Sequence, residues 1–387
     1  MAASQCENRL GVSATRVLVK SVIAVILCAS LVICARAQDA QSKNTNESWT
    51  ATTQTNVDNN SPSRMTESYA KSGNRSVDKQ SVEVLGPNGR YQLDSEAEKE
   101  TIQVNATTTR TVVRTYKWDV NGQRELEQVT EEEARSSASG DVQVVRTTSN
   151  DDGNGNLQVV QREVADTRNT SPDAQETKTT IYLADGNGNL TPSVQTQELQ
   201  KRSPDHSVEV KKTLLQPDSS GNWVVGEVKE STIKEDGKNR TSEERVSRAD
   251  SEGRLSEVVR TVGKETETAA GEKSDTINTY YTNAPGLAPD GSLHLRWQAT
   301  TVQKTDSGGT TTEQQDKEPN PNDPNGGLQV TTKTKYIVRY DASGTQQTKT
   351  IQARDINGAF YVVSFETGKS DNVPADQVPT APSDKPK

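Results

Sequence analysis

The sequence predicts an all-β protein, an antiparallel meander of about 33-residue two-stranded repeats that forms a long twisted or curled sheet. Three observations carry this. The string Asp152-Gly153-Asn154-Gly155-Asn156-Leu157 returns 33 residues later as Asp185-Gly186-Asn187-Gly188-Asn189-Leu190. Glycines hold the matching place in similar turns at Gly89, Gly122, Gly155, Gly188, Gly221, Gly253, Gly291, Gly326 and Gly358, at successive intervals of 33, 33, 33, 33, 32, 38, 35 and 32 residues. The segments between them alternate apolar and polar side chains and favour Thr, Val, Tyr and Ile, which suit a pleated surface.

Asn-Gly and Asp-Gly between such segments signal hairpins, because tight primed turns need positive φ at their centre. A second polar break falls near mid-repeat, at Ser139-Gly140, Ser171-Pro172-Asp173, Ser203-Pro204-Asp205, Asp236-Gly237, Gly271 and Ser307-Gly308-Gly309. Each repeat therefore holds two strands of about ten to twelve residues, and residues 80–367 hold roughly sixteen to eighteen strands. Two places after each turn glycine the residue is usually large and apolar, as in Tyr91, Leu157, Leu190, Trp223, Leu255 and Phe360. The run Leu293, Leu295, Trp297, Ala299 reads as one face of a strand. Prolines at 319, 321 and 324 lie where the interval lengthens, which marks a loop or subdomain boundary near 318–326.

Residues 1–37 read as an export signal: Arg9, Arg16 and Lys20 precede an apolar run from Ser21 to Cys34, and Ala35-Arg36-Ala37 supplies small residues for cleavage. Cys6, Cys28 and Cys34, the three cysteines, lie in it, so the exported chain is expected to hold no disulfide and no cysteine metal site. The full chain carries a net charge of −9; four basic residues and one acid leave with the signal, which makes it −12. An acidic chain with dispersed Lys and Arg does not point to nucleic acid. Hydrophobic residues make up 29% of the sequence, too few for a thick core. Residues 38–79, rich in Ser, Thr, Asn and Gln, read as a disordered spacer, and 368–387 as a disordered tail.

Other repeat folds fit less well. Ankyrin repeats share the period but are helical and carry a Thr-Pro-Leu-His signature that is missing here. A propeller blade would need two repeats, which is too long. A membrane barrel has suitable strand lengths but calls for a continuous apolar band and aromatic girdles. Two Phe, four Trp and nine Tyr, with charges on both phases of most strands, do not supply them.

Chemistry is sparse. His206 and His294, the only histidines, fall in different repeats, and no nucleophile or phosphate-binding motif appears. The Asp-Gly-Asn-Gly-Asn turns begin like calcium loops, but from Asp152 the sixth position holds Leu157 where a sharp-turn glycine is required, and from Asp185 the sixth and twelfth hold Leu190 and Thr196. No metal site, cofactor or catalytic residue is assigned. Trp118, Trp223 and Trp297 are the candidate ligand-binding residues, as aromatic platforms for sugar rings.

The strings Gly226-Glu227-Val228-Lys229-Glu230-Ser231-Thr232, Gly291-Ser292-Leu293-His294-Leu295, Asn320-Pro321-Asn322-Asp323-Pro324 and Gln352-Ala353-Arg354-Asp355 resemble uncharacterised exported β-repeat proteins of acidobacterial type. That group has no established activity, so the resemblance implies export and source, and no site. The expectation is a non-enzymatic monomer, secreted, periplasmic or on the cell surface. Its role would be structural or adhesive, with matrix, cell-wall polysaccharide or another surface protein as partner and no membrane once the signal is removed. A carbohydrate-binding module is the alternative, and an enzyme on a β scaffold comes third.

Overall fold

The computed structural model describes residues 47–57, 62–119, 121–268, 271–282, 291–320, 323–341 and 344–370. Residues 1–37, read as an export signal, lie outside them. Period-two alternation between turns becomes strand throughout: β1 (Glu47–Val57), β2 (Ser63–Ser72), β3 (Arg75–Leu85), β4 (Tyr91–Asn105), β5 (Thr108–Trp118), β6 (Arg124–Ser136), β7 (Val142–Asp151), β8 (Leu157–Ser171), β9 (Ala174–Ala184) and β10 (Leu190–Arg202). The chain continues through β11 (Val208–Pro217), β12 (Trp223–Asp236), β13 (Asn239–Ala249), β14 (Leu255–Glu267), β15 (Lys273–Tyr281), β16 (His294–Asp306), β17 (Gly309–Asn320), β18 (Asp323–Asp341), β19 (Gly344–Arg354) and β20 (Phe360–Ser370).

Every strand pairs antiparallel with the next, and β1 also pairs with β20, from Ala51 opposite Ser370 to Val57 opposite Ser364. The meander is therefore a closed 20-stranded barrel and not the expected long twisted or curled sheet. Closure satisfies the row of N–H and C=O groups that each end strand of an open sheet would leave unpaired.

Residues 47–57 and 63–72, which the sequence reads as part of a disordered spacer, form β1 and β2, and β3 starts within the same stretch at Arg75. Their Thr- and Ser-rich alternation is faint, and each is held by neighbours on both sides, β1 between β20 and β2, β2 between β1 and β3. There is no subdomain boundary at 318–326 either. Asn320 pairs with Asp323 and Pro319 with Leu328, so β17 and β18 form a hairpin, and Gly326 lies inside β18. At the other end β20 runs to Ser370, beyond the start of the expected tail.

The turns explain their own sequence. Gly188 has φ 81°, a conformation other residues resist. Asp185 stabilises the same turn by accepting the N–H of Asn187 at 2.8 Å and of Asn189 at 2.9 Å. Asp119, Asp218, Asp250 and Asp355 repeat this geometry.

A further regularity was not read from the sequence. Five residues after each of the nine phased glycines the register skips one residue: Asp94, Glu127, Val160, Ser193, Gly226, Val258, Arg296, Thr331 and Val363. Every even strand from β4 to β20 thus carries a bulge at one height. A bulge bends its strand and increases its twist, and a ring of them supplies the curvature that a closed wall needs. It also moves the following side chains to the other face. Leu295 stands opposite Tyr280, whereas Trp297 stands opposite Thr279, so the run read as one face is split between two.

The wall is one strand thick and has little core. Among the described residues the buried hydrophobics are Val112, Val228 and Ala299, and no large side chain is fully buried.

Candidate functional site: the two faces of the barrel wall

Cross-strand partners share a face, so the register divides the wall into two faces that stay continuous around the closure. On one face, the residues two and four places after each turn glycine are mostly apolar: Tyr91 and Leu93, Leu157 and Val159, Trp223 and Val225, Phe360 and Val362. Their partners add Tyr116, Trp118, Tyr182 and Leu215. These form a belt near one end of the barrel, between the turns and the ring of bulges. Six of its members are exposed: Leu93 40%, Leu157 45%, Val159 38%, Val225 37%, Leu255 47% and Val362 42%.

Charges also stand at this height: Arg124 and Glu257 after the glycines, and Glu83, Asp151, Lys317 and Arg354 among the partners. Arg124 lies over the ring of Tyr116 and pairs with Glu96. Glu257 is joined to Arg260 by two bonds of 2.8 Å.

Beyond the bulges both faces are ionic. On the belt face Glu96, only 6% exposed, sits between Arg124 and Lys79, whose Nζ is 2.8 Å away. Lys211 pairs with Glu230 at 2.9 Å on the same face. On the opposite face Arg146 bridges Glu132 at 2.6 Å and Glu163 at 3.3 Å, and Lys229 meets Glu244 at 2.7 Å. Charges on both phases of most strands, one of the features that argue against a membrane barrel in the sequence, are organised into ladders along each face.

Trp118 and Trp223 lie on the belt face, opposite Arg124 and Pro217. They belong to β5 and β12, seven strands apart, which is roughly 34 Å around the wall at the usual strand spacing. Trp297 is on the other face. The three tryptophans therefore do not converge on one platform. His206 occupies a tight turn with φ 63°, and His294 is in β16 opposite Tyr281. Among the described residues no group of three or more His, Cys, Asp or Glu is placed to hold a metal ion. The Asp152 carboxylate accepts the N–H groups of Asn154 and Asn156, the hairpin role of this turn.

No family model and no curated protein matches the chain. Among solved structures it is similar to the siderophore receptor PirA from Pseudomonas aeruginosa, at 9% identity and a TM-score of 0.39, over 85% of this chain and 81% of that one. It is also similar to OccK3 (OpdO) from the same species, at 12% identity and a TM-score of 0.36, over 84% and 95%. A third is the FrpB iron transporter from Neisseria meningitidis, at 8% and 0.39, over 85% and 74%.

The closed wall overturns the expected soluble adhesive repeat protein and the carbohydrate-binding module. Among the described residues no extended open sheet presents an adhesive surface, and the aromatic platforms do not gather. The same finding corrects the expectation of no membrane contact. A closed barrel pairs all its ladder groups internally, the condition strands must meet to stand in lipid. Sequence reading missed the belt because the bulges change the phase of alternation five residues after each glycine. The signal that could have found it is the apolar pair at two and four places after the glycine, which recurs with the turn and ends at the bulge.

Proposed function

We propose that this chain is a barrel of the bacterial outer envelope whose wall encloses a water-filled passage for small polar solutes, seated in lipid by its apolar belt. One observation carries the reading: the wall is closed and both its faces bear ionised ladders, so whichever face is turned inward, the enclosed space is polar. Twenty strands fall between the roughly 16 to 18 that leave an aqueous channel and the roughly 22 of plugged transporters. The described residues are wall strands and their turns.

The belt supports the lipid contact. It is exposed, runs through the hairpins around the wall, and contains Trp118, Trp223, Tyr116 and Phe360, residue types that favour membrane interfaces. Two rows of side chains make a band shallower than the roughly 25 Å of a fully embedded barrel. A Lys or Arg on a lipid face costs about 2–4 kcal/mol at the bilayer midplane. The reading therefore sets the belt against lipid and leaves the ionised length of the wall in water.

Co-sedimentation with lipid vesicles tests this. Binding by a chain with full β circular dichroism is expected. A preparation with that circular dichroism that does not bind vesicles would rule the reading out.

A further inference from the structure

The nine bulged hairpins allow one height of the wall to be compared around the barrel: the residue eight places after each turn glycine, with its partner on the preceding strand. Arg146 faces Glu163 and Lys349 faces Glu366, complementary pairs. Six further pairs hold at most one charge. One pair opposes like charges, Lys212 with Lys229. Like charges directly opposite one another destabilise a sheet.

A cavity of about 370 Å³ opens at that pair. Val210 and Leu214 lie on either side of Lys212, Glu227 and Ser231 on either side of Lys229, and Glu198 stands beside Lys212. Of the neighbouring acids, one is engaged elsewhere and one is taken by each lysine. Glu227 binds Arg248 at 2.9 Å, and Glu244, not Glu198, takes Lys229 at 2.7 Å. Glu198 is 3.6 Å from Lys212 Nζ, beyond good hydrogen-bond length, so this ammonium keeps donors for the cavity.

We infer that Lys212 and Lys229 form a binding site for a small monocarboxylate with a short apolar chain. The carboxylate would accept from the two ammonium groups, with its chain against Val210 and Leu214. Glu198 and Glu227 at the sides disfavour a second negative charge, so a dicarboxylate binds less well. The site belongs to the folded wall and does not depend on the barrel binding lipid, so its test is independent of the vesicle experiment.

The test is ligand-observed NMR on the purified full chain, with butyrate as probe and succinate as competitor. Circular dichroism of every sample establishes the fold. Saturable butyrate binding is expected, with succinate a poor competitor. Lys229→Glu removes one ammonium group from the site and should weaken butyrate binding by at least about tenfold. Lys211→Gln, on the opposite face, should leave binding unchanged. Absence of saturable binding by the folded chain, retention of binding in Lys229→Glu, or equal loss in Lys211→Gln would each overturn the assignment.

Discussion

Gln347 reaches across Gly368 to Thr53: its Nε2 lies 3.5 Å from Thr53 Oγ1, while Gly368 stands between them in the register, opposite both. The contact joins β19 to β1 over β20, at the seam where the barrel closes. Tyr336 extends it by donating its hydroxyl to Gln347 Oε1 at 2.7 Å. A Cβ on residue 368 would fall inside contact distance of the Gln347 side chain. Gly368→Val should displace Gln347 and destabilise the chain by about 1–3 kcal/mol, the range for overpacking. Urea unfolding measures this, and an unchanged midpoint would mean that the seam is not packed this way.

Leu157 and Leu183 separate the belt from mere exposed hydrophobicity. They are similarly accessible, at 45% and 43%, but the register puts them on opposite faces. Leu157→Lys should lower vesicle binding, with Leu255→Lys acting alike, at about 1 kcal/mol each for a position near the membrane interface. Leu183→Lys should have no such effect. Equal losses from both faces, measured by co-sedimentation, would remove the belt as the lipid contact.

Glu96 and Glu131 sit in the same ladder system with different burial. Glu96 is 6% exposed beneath two cations, whereas Glu131 and its partner Arg110 are 54% and 52% exposed. Glu96→Gln leaves Lys79 and Arg124 uncompensated and should cost about 1–3 kcal/mol, discounted from fully buried pairs because both cations are partly in water. Glu131→Gln should change stability by less than about 0.5 kcal/mol. Thermal unfolding of the two variants makes the comparison.

The turn aspartates predict an acid limit. Backbone N–H groups of Asn189 and Asn187 hold the Asp185 carboxyl below its ordinary value of 3.8, and Asn222 and Ser220 do the same for Asp218. Because the folded values are lowered, their stabilisation is complete above the unfolded value and is lost as pH falls through the folded ones. Melting temperature should therefore decline below about pH 4. Asp185→Asn with Asp218→Asn should flatten that decline, and an identical acid profile would contradict the assignment.

Much of the wall was legible in the sequence and its closure was not. Turn chemistry is local, so Asp185 and Gly188 announce their hairpin whatever surrounds it. The partner of an end strand is not local. Nothing in Thr52-Thr53-Gln54 specifies Thr367-Gly368, some 300 residues away, and β1 was hidden in a Thr- and Ser-rich stretch. The bulges have a regular position but no regular chemistry, being Asp94 in one hairpin, Val160 in the next but one and Gly226 further on. Only pairing reveals them, and without them Leu295 and Trp297 read as neighbours on one face. Lys212 and Lys229 lay in different strands with no sign in the sequence that they oppose each other.

Closure is the claim on which the account stands, and a disulfide across the seam tests it most directly. Gln54 and Thr367 are register partners between β1 and β20. With Cys6, Cys28 and Cys34 replaced by serine, the double variant Gln54→Cys and Thr367→Cys should cross-link on mild oxidation of the folded chain, and fail to do so in denaturant. Thr101→Cys with Thr111→Cys, partners within one hairpin, serves as the positive control. Cross-linking of both pairs is the predicted result. A control pair that cross-links beside a seam pair that stays reduced would mean that β1 and β20 are not neighbours, and that the sheet is open.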